Sequence, residues 1–85
     1  MLKNEKIFIT GGAGSLGKSL VKRFYEHNEV TVFSRDENKQ YFLKKQFPNI
    51  RCIVGDIRNY ELLEESMKGH TIAIFTASLK QIESV

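Results

Sequence analysis

An α/β fold on a parallel sheet is predicted by three observations. Short apolar runs rich in β-branched residues alternate with stretches of helical periodicity. The first apolar run ends in a glycine-rich turn, and a helical pattern starts directly behind it. The order of elements reads β-α-β-α-β-α-β, with no repeat, low-complexity segment or linker between them.

Lys6 to Thr10 is the first expected strand. A helix follows from about Gly14 to His27, with Leu16, Leu20, Val21 and Phe24 along one apolar face and Asn28 as its stop. Val30-Thr31-Val32-Phe33 reads as a buried second strand that ends at Ser34-Arg35-Asp36. The next helix, about Glu37 to Phe47, sets Phe42, Leu43 and Phe47 on one face, and Pro48 ends it. Ile50 to Val54 is a third strand, closed by Gly55-Asp56. Asn59 suits the N-cap of a third helix with Tyr60, Leu63 and Met67 as its stripe and Gly69 as its stop. Thr71 to Phe75 is the fourth strand.

Strands joined by helices call for right-handed crossovers and helices on both faces of the sheet. The expected sheet order is 3-2-1-4, a Rossmann-type sheet truncated to four strands and occupying residues 1–85 as a single half-domain. Ligands of such sheets sit beyond the carboxyl ends of the strands, at the switch between strands 1 and 4. Three loops converge there: Gly11 to Gly17, Ser34 to Asp36, and Thr76 to Lys80. Gly55-Asp56-Ile57 lies at the adenine end.

Gly11, Gly14 and Gly17 give the spacing G-x-x-G-x-x-G. One glycine turns the chain out of the strand, one bares the backbone to a pyrophosphate, and one lets the helix pack closely on the strand. The helix N-terminus then offers free N–H groups and a positive dipole end. The context of strand before and helix behind favours a dinucleotide over a plain flexible turn. At the tip of strand 2 an acid takes the ribose 2′-OH of NAD, whereas an arginine accommodates the 2′-phosphate of NADP. Ser34 can donate to a phosphate and Arg35 can pair with it bidentately, which favours NADP. Asp36 can reach the ribose instead, or cap the next helix. An Arg35 that is merely solvated leaves NAD open.

The bulk numbers narrow the rest. With 85 residues the chain makes one small domain. The net charge of +3 is spread among acids, so nucleic acid is not expected as a partner. The single Cys52 excludes an internal disulfide and reads as a small buried hydrophobe. No apolar run is long enough for a membrane and no signal-peptide pattern appears, which points to the cytoplasm. His27 and His70 are expected in solvent, and no metal-ligand spacing is present.

Ile9-Thr10-Gly11-Gly12-Ala13-Gly14-Ser15-Leu16-Gly17 resembles the fingerprint of extended short-chain dehydrogenases/reductases. Phe33-Ser34-Arg35-Asp36-Glu37-Asn38-Lys39-Gln40, Gly55-Asp56-Ile57-Arg58 and Leu79-Lys80-Gln81 resemble, more narrowly, the UDP-N-acetylglucosamine 4,6-dehydratases and capsule-synthesis epimerases of bacterial polysaccharide pathways. The resemblance covers essentially the whole chain. It implies tightly held NADP used for internal redox on a UDP-sugar, with hydride leaving C4, water eliminated across C5 and C6, and hydride returning. By matching positions it implies that Thr10, Gly11, Gly14, Ser15, Leu16 and Gly17 cradle the pyrophosphate. Ser34, Arg35, Asp36 and Lys39 line the 2′-phosphate end, and Asp56 and Ile57 contact adenine. Thr76 lies against the cofactor, and Lys80 near cofactor and sugar nucleotide.

Two departures stand out. In place of the family's His-Ala-Ala-Ala-like run after strand 4, this chain has Phe75-Thr76-Ala77-Ser78. Family members also carry further strands, a catalytic Y-x-x-x-K pair and a sugar-nucleotide region that this chain lacks. The chain is therefore expected to bind the dinucleotide without catalysing the reaction alone, with the UDP-sugar bound only by the full-length family. Tyr41 and Lys45 satisfy Y-x-x-x-K formally, but on the helix after strand 2 they are expected to be surface. A different class of function is a non-catalytic binding module that self-associates through the open edge of strand 4.

Overall fold

The computed structural model describes residues 3–11 and 13–76. Seven elements follow in order: β1 (Lys6–Thr10), α1 (Ser15–Phe24), β2 (Glu29–Ser34), α2 (Glu37–Gln46), β3 (Arg51–Val54), α3 (Tyr60–Met67) and β4 (Ile72–Phe75). The strands form one sheet in the order β3-β2-β1-β4. All three pairings are parallel, with Phe8 opposite Thr31 on one side and Ala73 on the other. The expected Rossmann-type order is the one observed.

Side-chain alternation along the strands divides the core in two. Ile7, Ile9, Val30 and Val32 point to one face, where Val21 of α1 and Leu43 of α2 bury them, with Phe47 and Ile50 beside them. Phe8 and Phe33 point to the other face, fully buried, with ring centroids 5.6 Å apart. That second face is the side of α3 and of His70, whose ring meets Phe8 edge-on at 5.2 Å.

Local chemistry sets the element ends. Asn28 stops α1 by donating from Nδ2 to the Phe24 carbonyl at 3.0 Å, while its Oδ1 accepts from Glu5 N–H at 3.0 Å. The helix therefore closes three residues short of His27. Asp36 caps α2, its carboxylate accepting from Lys39 N–H at 3.0 Å, and Asn59 caps α3 through Leu62 N–H at 3.3 Å.

Four expectations about side chains are corrected. Leu16 is 55% exposed; the apolar side chains of α1 that meet the core are Leu20, Val21 and Phe24. Phe42 is 66% exposed: adjacent helical positions lie about 100° apart, so it cannot share the face of Leu43. Tyr60 is 78% exposed, and the half-buried residues of α3 are Leu62, Leu63, Ser66 and Met67. His70 is not simply solvated. Its Nε2 lies 2.9 Å from the Thr31 hydroxyl and its Nδ1 3.1 Å from the Met67 carbonyl. Among the described residues no helix is long and apolar enough to cross a membrane.

Candidate functional site at the carboxyl edge of the sheet

Beyond the last ladder bonds, the backbone keeps the strand ends together. Gly11 N–H donates to the Phe33 carbonyl at 2.8 Å, and Gly55 N–H to the Ser34 carbonyl at 2.9 Å. Thr76 donates to the Thr10 carbonyl twice, from N–H at 3.2 Å and from its hydroxyl at 2.5 Å. The loops after β1, β3 and β4 are thus anchored to neighbouring strands at one edge. A cleft of about 680 Å³ opens there, walled by Gly11, Ala13 and Gly14, by the run Phe33 to Lys39, and by Gly55 to Arg58.

The glycines of this wall differ in what they do. Gly11 has φ +69°, a left-handed conformation that turns the chain out of β1. Gly14 N–H then donates to the Gly11 carbonyl at 3.1 Å and closes the turn. A Cβ on Gly14 would meet only that carbonyl, at an ordinary 3.6 Å. The protein's own packing does not require glycine at 14; its missing side chain leaves the cleft wall bare. Gly55 is the opposite case, since a Cβ there would come within 2.6 Å of Phe33 and 2.7 Å of Leu62. Gly17 is buried in α1.

The start of α1 is open to an anion. Gly14 is its N-cap and supplies no side-chain acceptor, and no acidic residue stands in the first turn. Its leading N–H groups keep their dipole unopposed. The caps of α2 and α3, by contrast, are filled by Asp36 and Asn59, with Glu37 and Glu61 in their first turns.

Three cations and three anions line the cleft: Arg35, Lys39 and Arg58 against Asp36, Glu37 and Asp56. Two of the anions are committed. Asp36 caps α2, one of the two roles open to it in the sequence. Asp56 is gripped by Arg58, with Arg58 Nη2 to Oδ2 at 2.7 Å, Nε at 3.2 Å from both oxygens, and Arg58 N–H to Oδ1 at 2.9 Å. Those bonds hold the Asp56 carboxyl down at about 2. Arg35 lies 3.7 Å from the same Oδ2, too far for a hydrogen bond, and its side chain is 68% exposed. Arg35 is the loosely held arginine of the two.

Of the residues singled out in the sequence, Gly11, Gly14, Ser34, Arg35, Asp36, Lys39, Asp56 and Ile57 come together in the cleft wall. Ser15 borders a neighbouring hollow with Lys18, Lys39 and Phe42. Thr10 is buried beneath, and Thr76 stands at the same edge on Thr10. Lys80 lies outside the described residues. Tyr41 and Lys45 pair on the exposed surface of α2, ammonium over ring at 5.1 Å, as expected of a surface. Sequence reasoning does not place Gln40 or Arg58 in the site, whereas it sets Gly55 beside it with Asp56 and Ile57. The i, i+2 spacing of Asp56 and Arg58 could have signalled their pairing; nothing in Gln40 as a residue type marks it as buried.

The model of a family described as polysaccharide biosynthesis protein matches residues 7–85. The UDP-glucose 4-epimerase of Rickettsia massiliae (strain Mtu5) is 37% identical over 90 residues, covering 96% of this chain and 26% of that protein. The chain thus spans about a quarter of the length of the curated relatives it matches. Among solved structures it is similar to the UDP-N-acetylglucosamine 4-epimerase from Methanobrevibacter ruminantium M1 in complex with UDP-N-acetylmuramic acid. There the TM-score is 0.78 at 21% identity, over 98% of this chain and 27% of that one. It is also similar to WbmG of Bordetella bronchiseptica in complex with NAD, with TM-score 0.76 at 24% identity over 88% of this chain and 25% of that one. At these identities the two structures speak for the fold.

Proposed function

This chain belongs to the polysaccharide biosynthesis protein family, and from that premise we propose that it is the dinucleotide-holding part of a sugar-nucleotide epimerase or dehydratase, with NADP as its dinucleotide. The observation that carries the reading is the convergence of an uncapped, glycine-opened helix start with Ser34 and Arg35 in one cleft. The residues fit such a group. Gly14 leaves its wall free for a pyrophosphate, the first N–H groups of α1 supply donors, and Arg35 is held loosely enough to turn onto a ribose 2′-phosphate. Ile57 and the wall around Gly55 offer an apolar seat to the base.

When bound, the nicotinamide supplies the hydride acceptor and donor for oxidation and re-reduction at C4 of a UDP-sugar. The work of the described residues is to bind and orient. The α1 start would receive the pyrophosphate on its free N–H groups, Arg35 and Lys39 would meet the 2′-phosphate, and Asp56 keeps Arg35 and Arg58 near one another. Among the described residues the one Y-x-x-x-K pair lies on the outer surface of α2, so proton transfer at the sugar falls to other residues. The described residues serve cofactor binding in this reading, and no step at the sugar is assigned to them.

Titration with NADPH and NADH, following nicotinamide fluorescence and melting temperature together, tests this. Tighter binding of NADPH, lost in Arg35→Gln, is expected. Preference for NADH moves the ribose contact to Asp36, and no binding of either removes the reading.

A second property has its own observation. Among the described residues β4 pairs only with β1, and Ala73 and Phe75 are exposed on it, Phe75 by 48%. An open parallel edge of this kind invites another chain. We therefore expect self-association by sedimentation velocity, reduced in Phe75→Lys; a monomer at every concentration would count against it.

A further inference from the structure

Gln40 is a polar side chain with 3% exposure in a helix whose other buried residue is Leu43. Its amide nitrogen lies 2.8 Å from the Ile53 carbonyl, 3.0 Å from Ser34 Oγ and 3.4 Å from the Ser34 carbonyl. Two of these partners are carbonyl oxygens, which only accept. The end of Gln40 that faces them is therefore the NH2 group, and the Ser34 hydroxyl is an acceptor toward Gln40. A hydroxyl carries one proton. With its oxygen receiving from Gln40, Ser34 keeps that proton for a different acceptor, and among the described residues none takes it. Ser34 lines the cleft next to Arg35.

We propose that Gln40 is a positioning residue that fixes the Ser34 hydroxyl as a hydrogen-bond donor into the cleft and so selects for an acceptor-rich anion, the ribose 2′-phosphate, at the tip of β2. This rests on the cofactor reading above and adds to it a determinant of the choice between the two dinucleotides. Arg35 supplies charge, and the buried amide supplies polarity. A bare ribose 2′-OH both donates and accepts and gains less from a fixed donor than a phosphate, which only accepts. The same amide, with its two hydrogens on Ser34 Oγ and the Ile53 carbonyl, ties the ends of β2 and β3, so the donor direction is locked to the sheet edge.

The test is a set of dissociation constants for NADPH and NADH with the chain and its Ser34→Ala, Ser34→Thr, Gln40→Met and Ser34→Ala/Gln40→Met variants. Loss of one hydrogen bond to a charged acceptor is worth about tenfold or more. Ser34→Ala is expected to weaken NADPH by about that factor with little change for NADH, and Ser34→Thr to keep the preference. Gln40→Met, close in volume, is expected to lower the NADPH-to-NADH ratio in the same direction, and to have no further effect on the ratio once Ser34 is alanine. Equal weakening of both dinucleotides by Gln40→Met, or an effect additive to Ser34→Ala, overturns the proposal and leaves Gln40 a brace between strands. If the Gln40 variants do not fold, the serine pair decides it: a preference that survives Ser34→Ala overturns the proposal. A wild-type chain that binds neither dinucleotide, or binds both equally, overturns the cofactor reading and this proposal together. Preference kept in wild type and in Gln40→Met overturns this one alone.

Discussion

Arg58 closes a two-pronged pair on Asp56, its Nη2 2.7 Å from Oδ2 and its own N–H 2.9 Å from Oδ1. The side-chain bonds from Arg58 are the largest cause of the lowered carboxyl, followed by the backbone N–H, with the charges of Arg58 and Arg35 lesser contributors. The folded value, about 2, is below the ordinary 3.8. The pair therefore favours the folded state fully above that ordinary value and loses this contribution as pH falls through about 2. Carboxyl-detected NMR is expected to show Asp56 ionised down to the lower value. In Arg58→Gln the titration should return toward the ordinary one, and in Arg35→Gln it should move much less. Equal shifts in the two variants would contradict the unequal distances.

Gly14 and Gly55 line one cleft and should answer differently to alanine. At Gly55 the new methyl meets Phe33 and Leu62 well inside contact distance, so Gly55→Ala is expected to cost about 1–3 kcal/mol. At Gly14 the methyl finds only ordinary contact, and the change removes a tolerable N-cap, a cost of at most about 1 kcal/mol. Dinucleotide affinity should reverse the order. Gly14→Ala pushes a methyl into the bare wall and is expected to lose about tenfold, the worth of one good contact to an anion. Urea melts and fluorescence titrations on the two variants settle which glycine serves packing and which serves the ligand.

The framework was legible because period and punctuation agree at every element. β-branched runs gave the strands, Asn28, Pro48 and Gly69 stood at or near the ends of helices, and the glycine loop fell between β1 and α1. The strand order followed from crossover handedness and the dinucleotide-binding pattern. What was not legible depends on which side of an element reaches a neighbour. Phe42 and Tyr60 carry apolar rings that composition assigns to a core, yet their positions face solvent. Gln40 is the converse, a polar residue that the closing of β2 against β3 draws inward because two strand-end carbonyls meet there. In the site, Arg35 could be placed by its position after β2. The grip of Arg58 on Asp56 needed the turn between them, in which Asn59 N–H donates back to the Asp56 carbonyl at 2.9 Å.

Cys52 sits half-buried in β3 beside the core, and burial raises its thiol above the ordinary range, with the nearby Lys44 charge partly opposing. Thiolate, not thiol, is the nucleophile, so alkylation at neutral pH should be slow in the folded chain. The rate is expected to rise on unfolding in urea. A folded-state rate equal to the unfolded one would mean that Cys52 is neither shielded nor shifted.

His70 locks the second face of the sheet by a different route. The Met67 carbonyl can only accept, so Nδ1 carries the proton of the neutral ring and Nε2 accepts from the Thr31 hydroxyl. Thr31 is buried, 3% exposed. His70→Ala takes away the ring against Phe8 and leaves the hydroxyl buried without its bond, and each loss destabilises. The hydroxyl alone is expected to cost about 1–3 kcal/mol. Thr31→Val in the His70→Ala background removes the stranded group while keeping a β-branched shape, so the double variant should recover part of the loss. Thr31→Val by itself should destabilise only mildly, since the ring nitrogen remains near the protein surface. Urea midpoints of the three variants check this. A double variant no more stable than His70→Ala would assign the whole effect to the lost ring packing on Phe8 and none to the hydrogen bond.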